Sequence, residues 1–205
     1  MKNDMPSKSK IKGSSFENEL AKFLSETYGQ SFVRIPNSGA YIGGANTHRK
    51  SRLSENQIKS FKGDIVPPDT WTSFNAEAKN YAEFPFHQVL AGSCKQLETW
   101  LDQLMMVAEP NDVNILFFKI ARKGKFVCVQ SKYTWKSDQF MYYTSQKHND
   151  WVIIEFDHFF SVNKEILQTY STNKISDTKS NLTISTDTSS ITNLVSNTLL
   201  TQIPN

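Results

Sequence analysis

The chain has 205 residues, enough for one domain with appendages, and its 23 Lys and Arg against 20 Asp and Glu leave a net charge of +3. That balance argues only weakly for a polyanionic partner, but residues 1–62 hold eleven basic against five acidic residues, which favours a basic face in the N-terminal half. Cys94 and Cys128 fit neither a metal motif nor a disulfide framework, and no apolar run approaches 18 residues. We therefore expect a cytoplasmic protein without a membrane partner.

The N-terminal segment divides into a basic leader and an amphipathic helix. Residues 1–12 are polar and lysine-rich, and we expect them to be flexible, either as a solvated leader or along a phosphate backbone. The sequence Gly-Ser-Ser at 13–15 opens a predicted helix with Ser14 or Ser15 as its N-cap. Apolar residues on one stripe support this helix, and a Tyr-Gly pair ends it: Phe16, Leu20, Phe23, Leu24, Tyr28 and Gly29.

A predicted strand at 32–35 is followed by a long basic segment. Pro-Asn-Ser-Gly-Ala at 36–40 breaks the strand, and the insertion at 40–62 contains two adjacent glycines and a cluster of cations. Loops this long in compact domains are usually functional or disordered. The insertion is interpreted as an arm that orders on DNA, with an ordinary solvated loop as the alternative. Its predicted DNA contacts are His48, Arg49, Lys50, Arg52 and Lys62.

Two short segments bring acids and a lysine together. Asp64 begins the apolar run Asp-Ile-Val, and Glu77 and Lys79 lie two residues apart in an alternating run, so both point to the same face of a strand. Pro-Pro-Asp-Thr at 67–70 predicts a turn between the two segments. We expect a β-hairpin with Asp64 on one strand and the Glu77/Lys79 pair on its neighbour.

Two carboxylates beside an ammonium are suited to phosphodiester hydrolysis. Carboxylate oxygens bind Mg²⁺, which keeps waters that a substrate phosphate can displace. A bound cation lowers the pKa of water and stabilises charge on the phosphate, and Lys79 would orient or deprotonate that water. The plain alternative is that Glu77 and Lys79 form a solvated ion pair of little energetic consequence.

The next segment predicts a helix followed by paired strands. Apolar spacing predicts a helix over 87–108, firmest from residue 93 to 107, with Gly92 weakening its start. A buried strand is predicted at 113–120, returning through a tight basic turn as a paired strand at 126–129.

The C-terminal third predicts one more strand, a closing helix and a tail. Residues 133–143 are interpreted as irregular and 151–156 as a strand, and apolar residues between 158 and 167 suggest a short closing helix. Residues 169–205 are rich in Ser and Thr and contain no aromatic side chain after position 170, so a disordered tail is expected.

Four motifs occur in order along the chain: Lys-Gly-x-x-x-Glu-x-Glu-Leu at 12–20, Val-Arg before a Ser-Gly loop at 33–40, Asp-Ile-Val at 64–66 and Glu-Ala-Lys at 77–79. In this order they resemble the PD-(D/E)xK nuclease superfamily, and more narrowly the archaeal-type Holliday junction resolvases, whose relatives occur in phages. The match is close over 12–79 and loose to about residue 130. Asn18 stands where the family often has a basic residue, and the insertion after Gly39 is longer than usual.

The resemblance implies an α/β, restriction-endonuclease-like fold, a central mixed β-sheet flanked by helices, within a nuclease domain at 13–168. It implies that Asp64, Glu77 and the backbone carbonyl of Ala78 bind Mg²⁺, for which Mn²⁺ would substitute. Lys79 would position or activate the attacking water, and Glu17 would reach the site from its helix. Glu19 lies roughly 200° from Glu17 around the helix, so only one faces the site, and the resemblance selects Glu17. Further DNA contacts are expected from Lys12, Arg34 and Ser38.

The expected function is metal-dependent DNA cleavage that resolves four-way junctions, in recombination and repair, by paired nicks. Family members act as homodimers, whose two-fold symmetry matches that of the junction. One alternative is a restriction-like or other structure-specific nuclease with the same core. Another is a non-catalytic DNA-binding module of the same fold. The intact Asp64, Glu77 and Lys79 set argues against the latter, because a protein that only binds DNA has no need of two unneutralised carboxylates facing a phosphate.

Overall fold

The structure is a computed structural model that describes residues 8–35 and 62–172, with side chains from residue 13 onward. No helix in these two ranges is long and apolar enough to cross a bilayer. The elements in chain order are α1 (Lys8–Tyr28), β1 (Val33–Arg34), β2 (Ile65–Val66), β3 (Phe74–Tyr81), α2 (Phe86–Leu90), α3 (Lys95–Met106), β4 (Val113–Ile120), β5 (Gly124–Gln130), β6 (Met141–Thr144), β7 (Asp150–Glu155) and α4 (Phe156–Thr172).

A five-stranded mixed sheet forms the centre of the fold. Its strand order is β3-β4-β5-β7-β6, with β3 parallel to β4 and every other neighbouring pair antiparallel. A parallel pair needs a crossover connection, which α2 and α3 provide here. The short strands β1 and β2 form a separate antiparallel ladder. The predicted α/β fold, a central mixed sheet flanked by helices in the restriction-endonuclease-like arrangement, is confirmed.

Helices cover both faces of this sheet. Helices α1 and α4 contribute Leu20, Leu24 and Phe159 to one core cluster, and α3 contributes Leu101 and Leu104 to the other. Strand β4 is buried on both faces, as its nearly continuous apolar run predicted. In the strand order, β3 lies at one edge of this three-layer arrangement.

Strand β3 therefore presents different residues to the two layers. Ala76 and Ala78 belong to the core cluster under α1 and α4. Side chains alternate along a strand, so Glu77, Lys79 and Tyr81 face the layer of α2 and α3. The same-face placement of Glu77 and Lys79 is confirmed.

The first helix starts earlier than predicted. It begins at Lys8, so the predicted N-cap at Ser14 or Ser15 is wrong, and five residues of the expected leader are helical. Relative to alanine, glycine in a helix interior costs about 1 kcal/mol and serine less than about 0.7 kcal/mol, so the Gly-Ser-Ser sequence weakens the helix without stopping it. The predicted end is confirmed, because Gly29 has a φ of +63° and donates its N–H to the Ser25 carbonyl at 2.9 Å.

The long helix predicted over 87–108 is two helices, α2 and α3. Gly92 lies between them with a φ of +70°, a left-handed conformation that other residues rarely adopt. Its N–H donates to the Val89 carbonyl at 3.0 Å, which closes α2. The firm part predicted from residue 93 corresponds to α3.

Two predictions in the C-terminal third also need correction. Residues 133–143 are not wholly irregular, because β6 begins at Met141 and pairs with β7. The closing helix α4 is not short: it has 17 residues and continues to Thr172, past the predicted start of the tail. Tyr170 and Ser171 pack in the domain, since Ser171 is fully buried and its carbonyl accepts the Ser73 N–H at 3.0 Å.

Candidate active site

Asp64 lies where three strands meet. Its carbonyl accepts the N–H of Ile35 at 2.9 Å, and its own N–H donates to the carbonyl of Ala76 at 2.8 Å. Its carboxylate Oδ2 accepts the N–H of Ala78 at 2.8 Å. These hydrogen bonds hold Asp64 between the end of β1 and the outer edge of β3. We call this place, where the chain before β2 passes over β3, the crossing.

The predicted β-hairpin is not the pairing that forms. Strand β2 forms its ladder with β1, with Ile65 opposite Arg34, and β3 forms its ladder with β4. Two prolines follow Val66 and lack the N–H groups that would continue β2 beside β3. The expected neighbourhood of Asp64 and Glu77 still arises, through the hydrogen bonds of Asp64 rather than through a hairpin.

Gly63 makes the close approach of Asp64 to β3 possible. Its φ is +68°, and a Cβ at this position would overlap the carbonyl of Ala76. The sequence-based prediction of the site gave Gly63 no role. A glycine beside an acid at a strand entrance is a signal for close backbone contact that was available in the sequence.

Glu77 is a mostly buried carboxyl next to a second acid. Only 15% of its side chain is exposed. The pKa of Glu77 is raised from its ordinary value of 4.5 to about 7, first by burial and then by the charge of Asp64, against the lowering effect of Lys79. The site therefore holds two carboxyl groups that one lysine does not fully neutralise.

Lys79 lies against Glu77 on the same face of β3. Its Nζ donates to Glu77 Oε1 at 2.5 Å, and 16% of its side chain is exposed. This contact is more buried than a typical surface ion pair, so the alternative of a solvated pair does not describe it.

Arg34 and Glu17 form an ion pair between β1 and α1. The guanidinium Nε donates to Glu17 Oε2, and both side chains are largely buried. The structure thus places Glu17 beside Arg34, which neighbours Asp64 through the β1–β2 ladder. Glu19 points elsewhere: its carboxylate binds Lys119 at 2.6 Å and lies 3.7 Å from Lys125.

Lys62 was predicted to contact DNA, but its side chain is buried in the domain. Its side chain is 6% exposed and forms an ion pair with Asp112, and its Nζ is 3.8 Å from a carboxylate oxygen of Glu109. A buried, neutralised ammonium has little to offer a phosphate. We therefore assign Lys62 to anchoring the segment that leads into Asp64.

Other predicted DNA contacts fall outside what the structure describes. The side chain of Lys12 is outside the described side chains, although its backbone belongs to α1. The remaining predicted contacts lie outside the described residues: Ser38, His48, Arg49, Lys50 and Arg52.

The donor set at the crossing fits a hard divalent cation. Asp64 and Glu77 supply carboxylate oxygens, and Ala78 presents its carbonyl to the same edge as its N–H, because both groups of a strand residue point to one side. Within the two described ranges, no three acids, histidines or cysteines gather as a cage, so Glu17 does not join the pair in such a group. One or two carboxylates with waters is the usual protein contribution to Mg²⁺.

A mixed sheet with an acid at a strand crossing and Glu-x-Lys on the edge strand defines the PD-(D/E)xK class of nucleases. The family described as phage putative PDDEXK endonuclease matches residues 8–169, most of the chain. The chain belongs to this family. No curated protein and no solved structure matches it.

Proposed function

We propose that the protein is a metal-dependent DNA endonuclease whose catalytic residues are Asp64, Glu77 and Lys79. The observation that supports this proposal most strongly is the contact between Asp64 and β3. Its carboxylate accepts the Ala78 N–H, next to a Glu77 whose pKa is raised to about 7. A fold needs no such pair of crowded carboxylates for stability, whereas cation binding would relieve their repulsion.

Asp64, Glu77 and the Ala78 carbonyl would hold Mg²⁺, with Mn²⁺ as a substitute. When bound, the cation would stabilise negative charge on the phosphate and acidify a water. The oxygen-only set of ligands favours these hard cations over zinc.

The basic side chains of the site would orient the reactants. Lys79 would donate a hydrogen bond to the attacking water, so that a second lone pair of the water oxygen points toward phosphorus. As the water oxygen bonds to phosphorus, the bond to the departing sugar oxygen breaks. The water loses a proton and the departing oxygen gains one.

Arg34 would hold a non-bridging phosphate oxygen beside this site. Its Nε is bound to Glu17, but a guanidinium has five N–H donors, and its terminal groups suit a phosphate. Glu17 would act on the reaction by fixing the orientation of Arg34, rather than by joining the carboxylates as a ligand.

For the substrate we propose four-way DNA junctions, cut by a homodimer that makes paired nicks. The support is the resemblance of the four sequence motifs to junction resolvases. The alternatives are a restriction-like or other structure-specific nuclease with the same site, and a binding module that does not cut. The buried Glu77–Lys79 pair beside Asp64 favours a catalytic protein over the binding module.

The test is cleavage of a labelled four-way junction beside matched linear duplex and single-stranded DNA, with Mg²⁺ and with EDTA. We expect symmetric nicking of the junction that requires Mg²⁺. Equal cutting of linear duplex would support the nuclease activity but contradict the preference for four-way junctions. Tight binding of the junction without cutting of any DNA would favour the alternative of a binding module that does not cut.

A further inference from the structure

Four basic residues lie in or beside the β4–β5 turn, at one end of β3. The turn is joined to that end directly, because the Ala121 N–H donates to the Tyr81 carbonyl at 3.0 Å. Lys119 and Lys125 flank the turn, and Arg122 and Lys123 lie at its exposed tip.

The two sides of this turn differ in how their charge is compensated. Lys119 and Lys125 lie on the α1 and α4 side, over the rings of Phe16 and Phe156. There Lys119 binds Glu19 at 2.6 Å, and Lys125 lies 3.7 Å from the same carboxylate. The charges of Lys119 and Lys125 are therefore accounted for by contacts within the domain, between the sheet and the layer of α1 and α4.

Arg122 and Lys123 have no such compensation in the part of the chain that the structure describes. Within residues 8–35 and 62–172, neither forms an ion pair, and the exposed acid Glu83 in the connection after β3 pairs with neither. The Lys123 ammonium lies 5.8 Å from the ring centroid of Phe86, at the start of α2. Its charge is thus on the α2 and α3 side of the sheet, the side that Glu77 and Lys79 face.

Tyr81 lies between the candidate site and this tip. It follows Lys79 on the same face of β3, and it is 45% exposed, with its ring packed 5.0 Å from that of Trp100. At about 3.3 Å per strand residue, the turn begins roughly 7–10 Å beyond Lys79. That distance corresponds to about two to three nucleotides along one strand of a duplex.

We infer that Tyr81, Arg122 and Lys123 form a second DNA contact, which binds the phosphodiester backbone about two to three nucleotides from the bond that is cut. Arg122 and Lys123 neutralise phosphates, and the Tyr81 ring packs against the sugar or an unstacked base. This inference rests on the proposed nuclease function, because it takes the Glu77 and Lys79 site as the position of the reacting phosphate.

The test compares a turn variant with a matched control. Arg122→Asn with Lys123→Gln removes both charges, and asparagine tolerates the φ of 62° at position 122. The control is Lys22→Gln with Lys164→Gln, two exposed lysines on α1 and α4. Binding of the full chain to a labelled junction and duplex is measured in EDTA over a series of salt concentrations, and cleavage is measured in Mg²⁺.

We expect the salt-dependence slope of the turn variant to fall in magnitude by about 1.8, and its affinity to fall about tenfold or more near 0.1 M salt. KM for DNA should rise while kcat stays unchanged, since neither residue touches the reacting atoms. The control should change affinity less than about twofold, because its exposed lysines lie on the layer of α1 and α4, opposite the one that Glu77 and Lys79 face, and are screened by salt.

Wild-type values in the turn variant would overturn this inference and leave the nuclease intact. Equal losses in the turn variant and the control would reduce the effect to net charge and overturn the location of the contact. A wild-type chain that neither binds nor cuts DNA would overturn the proposed function, and this inference with it.

Discussion

Glu77 is under two opposing influences in the free protein. Its mostly buried carboxyl lies beside Asp64, and both effects favour the protonated form, while the contact with Lys79 favours the ionised form. Proton uptake relieves the crowding in one way, and cation binding would relieve it in another. This one residue therefore links pH to the stability of the fold, and it would link both to the binding of a cation.

In EDTA, the contribution of Glu77 to stability should be lost as the pH rises. A carboxyl whose pKa is raised by folding keeps its proton longer in the folded state. Its stabilising contribution is complete below about pH 4.5 and is lost as the pH passes through about 7. Between pH 4.5 and 8 this change amounts to about 3 kcal/mol of unfolding free energy.

Urea unfolding of the wild type and Glu77→Gln, at pH 5 and pH 8, measures this contribution by difference. Glu26→Gln is the control, since it removes an exposed carboxylate on α1 that pairs with Lys22. If the pH dependence of Glu77→Gln were the same as that of the wild type, burial of Glu77 would not govern its protonation.

Glu77→Gln should abolish cleavage and leave DNA binding intact or tighter. The amide keeps the shape of the side chain but removes one anionic ligand and one negative charge near the phosphate. Cleavage and junction affinity are measured on the same preparation. A variant that cuts at the wild-type rate would show that the active site lies elsewhere.

At the scale of elements, the crossing of the chain before β2 over β3 determines where Asp64 lies. Gly63 has no room for a side chain against Ala76, and its backbone is left-handed. Gly29, at the end of α1, is also left-handed, but a Cβ added there would meet no atom within 4 Å. The two glycines therefore separate backbone strain from steric overlap.

Gly63→Ala should lose stability and cleavage together, and Gly29→Ala should lose only stability. Strain alone costs about 1–3 kcal/mol at either position. Overlap at position 63 adds to this and displaces Asp64, and a displacement of about 1 Å can cost a hundredfold in rate. Thermal unfolding and cleavage rates test both variants. Full activity in a folded Gly63→Ala protein would contradict the proposed role of this crossing.

The end of α4 should mark the shortest stable chain. Tyr170 packs 4.8 Å from the ring of Tyr133, and Ser171 binds Ser73, whose own carbonyl accepts the N–H of Val113 at 2.7 Å. A chain ending at Thr172 should match the full-length protein in stability and cleavage. A chain ending at Gln168 should lose about 3 kcal/mol, because a half-buried aromatic contact and a buried backbone hydrogen bond are removed.

Circular dichroism melting curves of both truncations, with cleavage measured in parallel, test this boundary. Equal stability of the two truncations would mean that the last turn of α4 does not support the domain. Loss of cleavage in the chain ending at Thr172 would instead assign residues 173–205 a part in the reaction.

At the scale of the whole molecule, cation binding and folding should be coupled. Asp64 and Glu77 come from separate segments and meet only in the folded chain, so a cation that needs both binds the folded state selectively. Mg²⁺ at a hundredfold its dissociation constant should raise the unfolding free energy by about 2.7 kcal/mol. Asp64→Asn and Glu77→Gln should lose most of this gain, whereas Glu26→Gln should keep it. Calorimetric unfolding with Mg²⁺ and with EDTA measures the difference without any DNA, and an equal gain in all variants would place the cation elsewhere.

Much of the fold could be predicted because its signals are local. Strands β4, β5 and β7 follow apolar runs and the basic turn, and the end of α1 follows its glycine. The same-face placement of Glu77 and Lys79 follows from strand alternation alone. The errors arose where distant residues decide the local structure. Strand β6 exists because β7 pairs with it, and α4 is long because Tyr170 and Ser171 pack against the domain.

The sequence by itself determined most of the helices and strands, and it determined that Glu77 and Lys79 share one face of a strand. Those features follow from residue type and from periodicities of 2 and 3.6 residues. The mixed sheet flanked by helices was implied by the resemblance of the four motifs to a nuclease superfamily. Only the tertiary structure decided that β2 pairs with β1, that Lys62 is buried against Asp112, and that Arg34 binds Glu17. These outcomes depend on burial and on contacts between residues far apart in the chain, where free energy is set by neighbours that no local pattern specifies.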